Sequence, residues 1–581
     1  MTEVSNASRA RIALTLTGLS WLLPFLSPNF HEPIPTFYGE AAAIVLGLAA
    51  ITFLYGHSSW PVMRLPRASL MFLGFGALIL AHMAIGRTVY PQQNLLAIVY
   101  LVWAVAMAAL GWRLREIFGI ERLITVLAWS ALAGALLSAA IGLAQWWGIP
   151  TLLQPFTLPQ VHGRIYGNTG QPNHLADYIC VGMASLIFLS SYGRLRLPIA
   201  AMAAVPLIVV LVVSGSRSVW FYLGSMLVLG VFYQVLRPSR DARRVVWLSA
   251  AALGAFVLAQ SLIGLAGDLA LTKIESIAVR TQSEGLFPAI RFRLWTEAWL
   301  MFRDAPLLGQ GFRQFPWQHF LLNAQLPPPR LQDIVYDNAH SLLFHVGAEF
   351  GCAGLLVLIA GIWAWTRGLA KREFSASTWW LLSTVAILAI HSMLEYPLWY
   401  AYFLGIAAVL LGASESAAIT IGRQTGRLVP VLILLLGWTA TANTYWDYRT
   451  LQSLHRMQAR DADGKNTTAV SLELQQHSLF TPFVELALAR SIELNQERLV
   501  DKLTVNGTAM HFAPDADVVY RQAVLLSLAG EEQAARTQWD RSVMNYPGSR
   551  AGVISVLEAM ASNEPKAAYL LNYAKAHGAG D

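Results

Sequence analysis

The sequence predicts an all-α, polytopic membrane protein: a helical bundle of about thirteen transmembrane helices, interrupted by one large loop and followed by a C-terminal α-helical domain. Three observations predict it. Hydrophobic residues fill 55% of the 581 positions and charged residues only 13%, against about 25% charged in an ordinary soluble protein. Apolar runs nearly free of charge recur through the first 446 residues, most of them long enough to cross a bilayer as helix. Lysine and arginine gather in alternate connecting segments, the pattern of loops held on the cytoplasmic side. Together these exclude a soluble enzyme, a nucleic-acid binder and a secreted disulfide scaffold.

The spans are expected at 12–28, 40–55, 68–86, 94–111, 123–147, 173–191, 197–213, 218–236, 245–264, 340–366, 378–394, 397–413 and 428–446. The polar N-terminus carries Arg9 and Arg11 ahead of an apolar run, but no small-residue cleavage site follows, so it reads as a retained first helix. With that end cytoplasmic, the short cytoplasmic segments hold 18 Lys and Arg, and the short outside loops hold only Arg87, Arg164 and Arg217. The asymmetry sets the orientation, and an odd number of spans puts the C-terminus outside. Cys180 and Cys352 both fall in apolar runs, which argues against a disulfide framework.

Two large pieces lie outside. The loop 265–339 carries seven basic and seven acidic residues, and Ile290, Leu294, Ala298 and Met301 recur in it at helical spacing. An amphipathic helix along the membrane surface is expected there. The division is thus a membrane domain, 1–446, and a helical domain, 447–581. In the latter, Pro482, Pro514 and Pro547 stand 32 and 33 residues apart, and the stretch from Tyr520 resembles a tetratricopeptide (TPR) helix pair with Gly530 at its turn. A small helical domain with incidental spacing is the other reading.

Ionisable groups at membrane depth cost about 2.5–3.5 kcal/mol on insertion scales, so each needs an explanation. Asp177, Glu349 and Glu395 are such groups. The topology also gathers Arg164, Gln171, Asn173, His174, Arg217, Arg291, Arg293, Asp337, Asn338, His340, Glu395 and Tyr396 toward the outside face. Several arginines there suit a phosphate or pyrophosphate headgroup, because guanidinium offers permanent, bidentate donors. Arg217 could equally anchor a helix end, and Arg291 and Arg293 could form a solvated helix face. His340 opens the tenth span, with Asp337 or Asn338 as its cap. It is either a base for a hydroxyl acceptor or a solvated interfacial histidine. Glu349, nine residues on, is about 13.5 Å away along an ideal helix, so it reads as a structural or relay group. His345 and His391 read as interior polar contacts. No ligand spacing suggests a metal, and the absence of a P-loop, Rossmann fingerprint or nucleophile elbow leaves a membrane-borne activated donor as the energy source.

Gly167-Asn-Thr-Gly-Gln-Pro-Asn-His-Leu-Ala176, Ser214-Gly-Ser-Arg-Ser218, Arg291-Phe-Arg-Leu-Trp295 with Pro306-Leu-Leu-Gly-Gln-Gly311, and His340-Ser-Leu-Leu with Glu349-Phe-Gly351 occur in that order. This ordered set resembles the O-antigen ligase/polymerase (WaaL/Wzy) superfamily. Pro33-Ile-Pro-Thr-Phe-Tyr-Gly-Glu40, His391-Ser-Met-Leu-Glu-Tyr-Pro-Leu-Trp-Tyr-Ala-Tyr-Phe403 and the tail resemble its protein O-oligosaccharyltransferase (PglL-type) branch. The resemblance implies an inner-membrane glycosyltransferase with a lipid donor. It takes a glycan linked to undecaprenyl pyrophosphate and passes it to Ser or Thr of an acceptor protein, such as a periplasmic or pilin-like one. It implies His340, Tyr396 and Gln171 as catalytic residues, Arg217, Arg291 and Arg293 at the donor pyrophosphate, and Asn173, Asp337, Glu349 and Glu395 in support. No metal or soluble cofactor is implied. The alternatives are an O-antigen ligase acting on lipid A-core, an O-antigen polymerase, a transporter or flippase, and a membrane scaffold.

Overall fold

A computed structural model describes residues 2–55, 64–149, 156–159, 164–268, 289–327, 333–422, 425–458 and 477–577. The described residues are mostly helical. Among them, eight helices are long and apolar enough to cross a membrane: Phe37–Tyr55, Pro91–Phe118, Ile120–Trp146, Pro172–Ser191, Val219–Leu236, Arg240–Leu265, Leu342–Leu369 and Leu428–Arg456. Four shorter apolar helices, Ser69–Ala84, Leu197–Val213, Ala376–Ser392 and Ala401–Ser414, fall on other expected spans. Where the first span was expected at 12–28, the helix is Thr2–Leu19, followed by a turn and a short 3-10 helix at Leu23–Leu26. Pro24 and Pro28 explain the early stop, since proline interrupts the hydrogen-bond ladder and disfavours helix in the residue before it. The protein is a polytopic membrane helical protein.

The chain divides into two compact units. The first comprises residues 1–75, 99–289 and 357–442. Its centre is the Pro172–Ser191 helix, 94% of whose apolar window is buried. Tyr178 of that helix donates to the Trp21 carbonyl at 2.6 Å and stacks on Phe25. Buried on all sides, the helix can carry Asp177 only because His391 meets the carboxylate at 2.6 Å, with both side chains fully buried. Two three-residue strands, Arg64–Pro66 and Ala418–Thr420, pair antiparallel in the register Arg64 to Thr420. Arg115 and Arg372 donate to the Glu415 carbonyl beside them.

The second unit comprises residues 76–98, 290–356 and 443–581. Its largest core joins Tyr90 and Phe320 to buried residues of the tail, among them Met510, Tyr520, Val524, Trp539 and Leu570. The tail contains helices Thr481–Ser491, Leu499–Phe512, Ala516–Ala529, Glu532–Asn545, Arg550–Ala561 and Pro565–Ala576. Asp515 caps the Ala516–Ala529 helix by accepting from Val518 N. Gly530 ends it at φ +83°, a left-handed C-cap that glycine adopts without strain. The turn expected at Gly530 is there.

The amphipathic helix of the long loop is present as Ala289–Asp304. Leu294, Ala298 and Met301 are buried in a cluster with Phe315, Ala339 and Ala348, while Phe292 and Trp299 of the same helix are exposed.

Candidate functional site

The candidate residues fall into two groups, one in each unit. In the first unit, Gln145 is fully buried and holds the loop that leads into the central helix. Its Nε2 donates to the carbonyls of Leu158 and Gly167, and its Oε1 accepts from the amides of Tyr166 and Gly167. Asn168 closes the same loop by donating to the Leu26 and Phe156 carbonyls and accepting from Leu158 N. Four-way satisfaction of a buried amide gives a loop one conformation. The loop delivers Gln171 to the start of the Pro172–Ser191 helix, where its Oε1 accepts from His174 N at 3.0 Å. Gln171, expected as catalytic, also serves as the N-cap of this helix, with Pro172 at the first helical position.

Asn173, the second residue of the helix, bridges two other elements. Its Nδ2 donates to Glu395 Oε1 at 3.0 Å, and its Oδ1 accepts from the Ser216 hydroxyl at 2.7 Å. Ser216 also meets Ser218 at 3.0 Å. Arg217 lies half-buried between these two serines in the sequence. Arg164 donates to the Ser214 carbonyl at 3.3 Å, tying a second guanidinium to the same turn. Tyr396 follows Glu395 and stacks on Tyr400 at 5.8 Å, and Tyr400 stacks on Tyr402 at 5.6 Å. Two guanidinium groups, a buried carboxylate and phenols thus gather in one unit, a set able to bind an anionic headgroup.

In the second unit, the helix expected to begin at His340 begins at Leu342. His340 stands outside it at φ +47°. Neither Asp337 nor Asn338 was found capping that helix; Asn338 Oδ1 instead accepts from His340 N at 2.8 Å, a local turn that asparagine side chains commonly make. Asn338 Nδ2 donates to Asp337, and Arg313 lies 3.6 Å from the Asp337 carboxylate. Arg313, two residues past the Pro306–Gly311 motif, went unnoticed in sequence because 24 positions separate it from Asp337.

Glu349 is buried, accepts from Phe315 N at 3.3 Å, and lies 3.4 Å from His345. The helix it sits on is not continuous. Gly351, at φ +61° and ψ −155°, breaks it two residues later. The segment from Pro306 to Gly311 bonds into the break: Gln310 N to Ala348 O, Gly311 N to Glu349 O, Cys352 N to Pro306 O and Ala353 N to Leu307 O. His82 fixes this segment from its other side, meeting the Leu308 carbonyl at 2.8 Å and accepting from Phe312 N. A Cβ at Gly309 would stand 2.3 Å from the Glu349 carbonyl carbon, so the two glycine motifs are halves of one backbone junction.

Arg293 turns inward: its Nε donates to Glu297 at 3.0 Å and its Nη1 to the Pro327 carbonyl at 3.0 Å. Arg291, two positions earlier on the same helix, is half-buried. Glu297 also meets His319 at 2.5 Å, and both side chains are fully buried. Neither Glu297 nor His319 was singled out as a site residue, because 22 positions separate them and nothing in the spacing pairs them. Among the described residues, no three His, Cys, Asp or Glu side chains gather as a metal-binding group.

Residues 202–359 match the family described as O-antigen ligase, and residues 379–576 match the family described as virulence factor membrane-bound polymerase, C-terminal. The first region includes Arg217, Arg291, Arg293, Asp337, His340 and Glu349; the second includes Glu395, Tyr396 and most of the tail. The chain is 24% identical over 520 residues to a general O-oligosaccharyltransferase of Acinetobacter baylyi, covering 85% of this chain and 86% of that protein. It is also 22% identical over 391 residues to a ComP-specific O-oligosaccharyltransferase of the same organism, covering 67% and 68% of the two. With the ordered motifs and the helical membrane architecture, these matches support the resemblance to the O-antigen ligase/polymerase superfamily.

Proposed function

We propose that this protein is an inner-membrane protein O-oligosaccharyltransferase. It takes a glycan from undecaprenyl pyrophosphate and transfers it to Ser or Thr hydroxyls of periplasmic or pilin-like proteins. The observation that carries the reading is the similarity, over 86% of its length, to a relative named general O-oligosaccharyltransferase. Thirteen crossings, a cytoplasmic N-terminus and a periplasmic, TPR-like tail from residue 447 complete the proposal; the basic residues crowded on one side of the spans support it.

In this reading the acceptor oxygen attacks the anomeric carbon, the new C–O bond forms as the bond to pyrophosphate breaks, and the electron pair leaves on the pyrophosphate. A single displacement inverts the anomeric centre. Arg217 and Arg291 meet the charge that grows on the leaving group, the kind of contribution that is usually largest. Arg293, engaged by Glu297 and Pro327, supports Arg291. His340 takes the acceptor proton, with Asp337 and Asn338 shaping its turn. Asn173 and Glu395 set the Ser214–Ser218 turn that carries Arg217, Gln171 fixes the helix on which Asn173 stands, and Tyr396 lines the donor site. Glu349 holds the helix junction.

The test is His340→Ala in a cell that makes a lipid-linked glycan and a candidate acceptor protein, reading intact acceptor mass and core lipopolysaccharide in parallel, with membrane expression confirmed. Glycan added to the acceptor by the wild type and not by the variant is expected. Glycan appearing on core lipopolysaccharide instead would favour an O-antigen ligase, the second reading, which the match of residues 202–359 supports.

A further inference from the structure

Glu297 and His319 are an expensive pair to keep. Each side chain is fully buried, and Oε2 and Nδ1 lie 2.5 Å apart. Desolvating a carboxylate and an imidazole offsets most of their attraction, and apolar residues of similar volume usually hold a core as well. A short charge-assisted bond does something apolar packing cannot: it fixes the plane and direction of a ring. Glu297 is itself fixed, because Arg293 donates to its other oxygen at 3.0 Å. His319 Nε2 is buried and has no hydrogen-bond partner among the described residues, so the ring is oriented from one side only.

That ring faces Tyr336. The two stand edge-on, with centroids 5.8 Å apart and planes at 83°. The same Tyr336 ring stands edge-on to His340, again at 5.8 Å, with planes at 68°. Tyr336 packs against the cluster of Leu294, Ala298, Phe315 and Ala339, beside the helix that carries Glu297. His340 stands in a non-helical turn in the left-handed region, so no helix ladder orients its ring.

We propose that Glu297 and His319 form a positioning pair for His340, acting through Tyr336. The proposal rests on the reading of His340 as the group that takes the acceptor proton. Arg293 belongs to this device as the holder of Glu297, which makes it a positioning residue with no direct part in binding the donor. Displacing a proton acceptor by about 1 Å is enough to cost on the order of 100-fold in rate.

The experiment uses the full chain in lipid nanodiscs, with undecaprenyl-pyrophosphate-linked glycan as donor and a Ser/Thr peptide as acceptor. For His319→Gln and Glu297→Gln, kcat is expected to fall about 10- to 100-fold. The donor KM stays within about twofold, and the acidic limb of the kcat pH profile moves. Tyr336→Leu, which removes no buried charge and so avoids a folding defect from an unpaired ion, behaves the same way, and Tyr336→Phe, which keeps the ring, recovers most of kcat. Unchanged kcat and pH profile in folded His319→Gln or Tyr336→Leu overturns the proposal. So does a loss that merely follows the folded fraction, or a rise in donor KM at constant kcat. A wild-type protein that transfers nothing to the peptide overturns the functional reading first and the proposal with it, whereas transfer by wild type with indifferent variants overturns the proposal alone.

Discussion

Asn173 donates a 3.0 Å hydrogen bond to the carboxylate of Glu395, 222 residues further along the chain, and accepts one from Ser216 in a third element. Three separate motifs of the sequence are joined at this one amide. Asn173→Ala removes a donor from a carboxylate that is only 8% exposed. A loss of about 1–3 kcal/mol is expected, read as a lower thermal midpoint in detergent together with weaker glycan transfer. Asn173→Asp, which sets two carboxylates face to face, should be worse than Ala.

Gly309 and Gly351 have no room for a side chain. A Cβ at Gly351 would stand 2.6 Å from the Leu307 carbonyl carbon, and the position has φ +61°. Backbone cannot yield as a side chain can, so Gly351→Ala is expected to cost more than about 1 kcal/mol. Gly76→Ala, in the Ser69–Ala84 helix where nothing lies within 4 Å, is the control and should not lower the melting midpoint.

Gln171 separates capping from chemistry. Its Oε1 caps the central helix, so Gln171→Ala should lose about 1 kcal/mol and Gln171→Ser should keep it. If the cap is its whole role, Gln171→Ser retains transfer. A stable Gln171→Ser protein with no transfer would put the amide in contact with substrate.

Arg217→Ala tests the donor site. In the proposed reading it lowers kcat by about 10²–10³, as removal of one preorganised donor does. Arg217→Lys keeps the charge and loses the bidentate fork, and should recover only part of that. A rate that is unchanged in both variants would remove Arg217 from the site.

His511 makes the tail sensitive to acid. It packs on Trp317 at 4.4 Å, and burial pushes its imidazole below the usual histidine range. The unfolded chain then binds more protons than the folded one between the lowered value and about 6.5, so stability rises with pH across that window. It is fully present above about 6.5 and is lost as pH falls. Melting midpoints at pH 7.5 and 5.0 should differ in the wild type and converge in His511→Phe, which keeps the aromatic contact.

Much of this molecule was legible in its sequence. Membrane-crossing lengths follow from hydrophobicity alone, because each helix satisfies its own backbone and needs no distant partner. Gly530 announced its turn because a left-handed C-cap is a local demand on one residue. The tail carries the least diagnostic sequence, yet most of it falls within a matched family region. Its helices pack through small contacts spread over many positions, which leaves no compact motif.

What the sequence did not disclose is pairing. His391 read as an interior polar contact, but only the fold shows that Asp177 is its partner. Glu349 read as structural or relay, but the break at Gly351 and the segment that fills it were invisible, since backbone hydrogen bonds carry no residue signature. Arg293 read as a donor ligand or a solvated helix face, and only the fold shows that Glu297 stands beside it. By itself the sequence determined the class, the position of most apolar helices and the inventory of charged groups, because transfer from water to lipid is a property of local composition. Which carboxylate meets which cation was decided by tertiary structure alone, because a buried charge is stabilised by whatever the fold brings within about 4 Å, and proximity across hundreds of residues is not written in spacing.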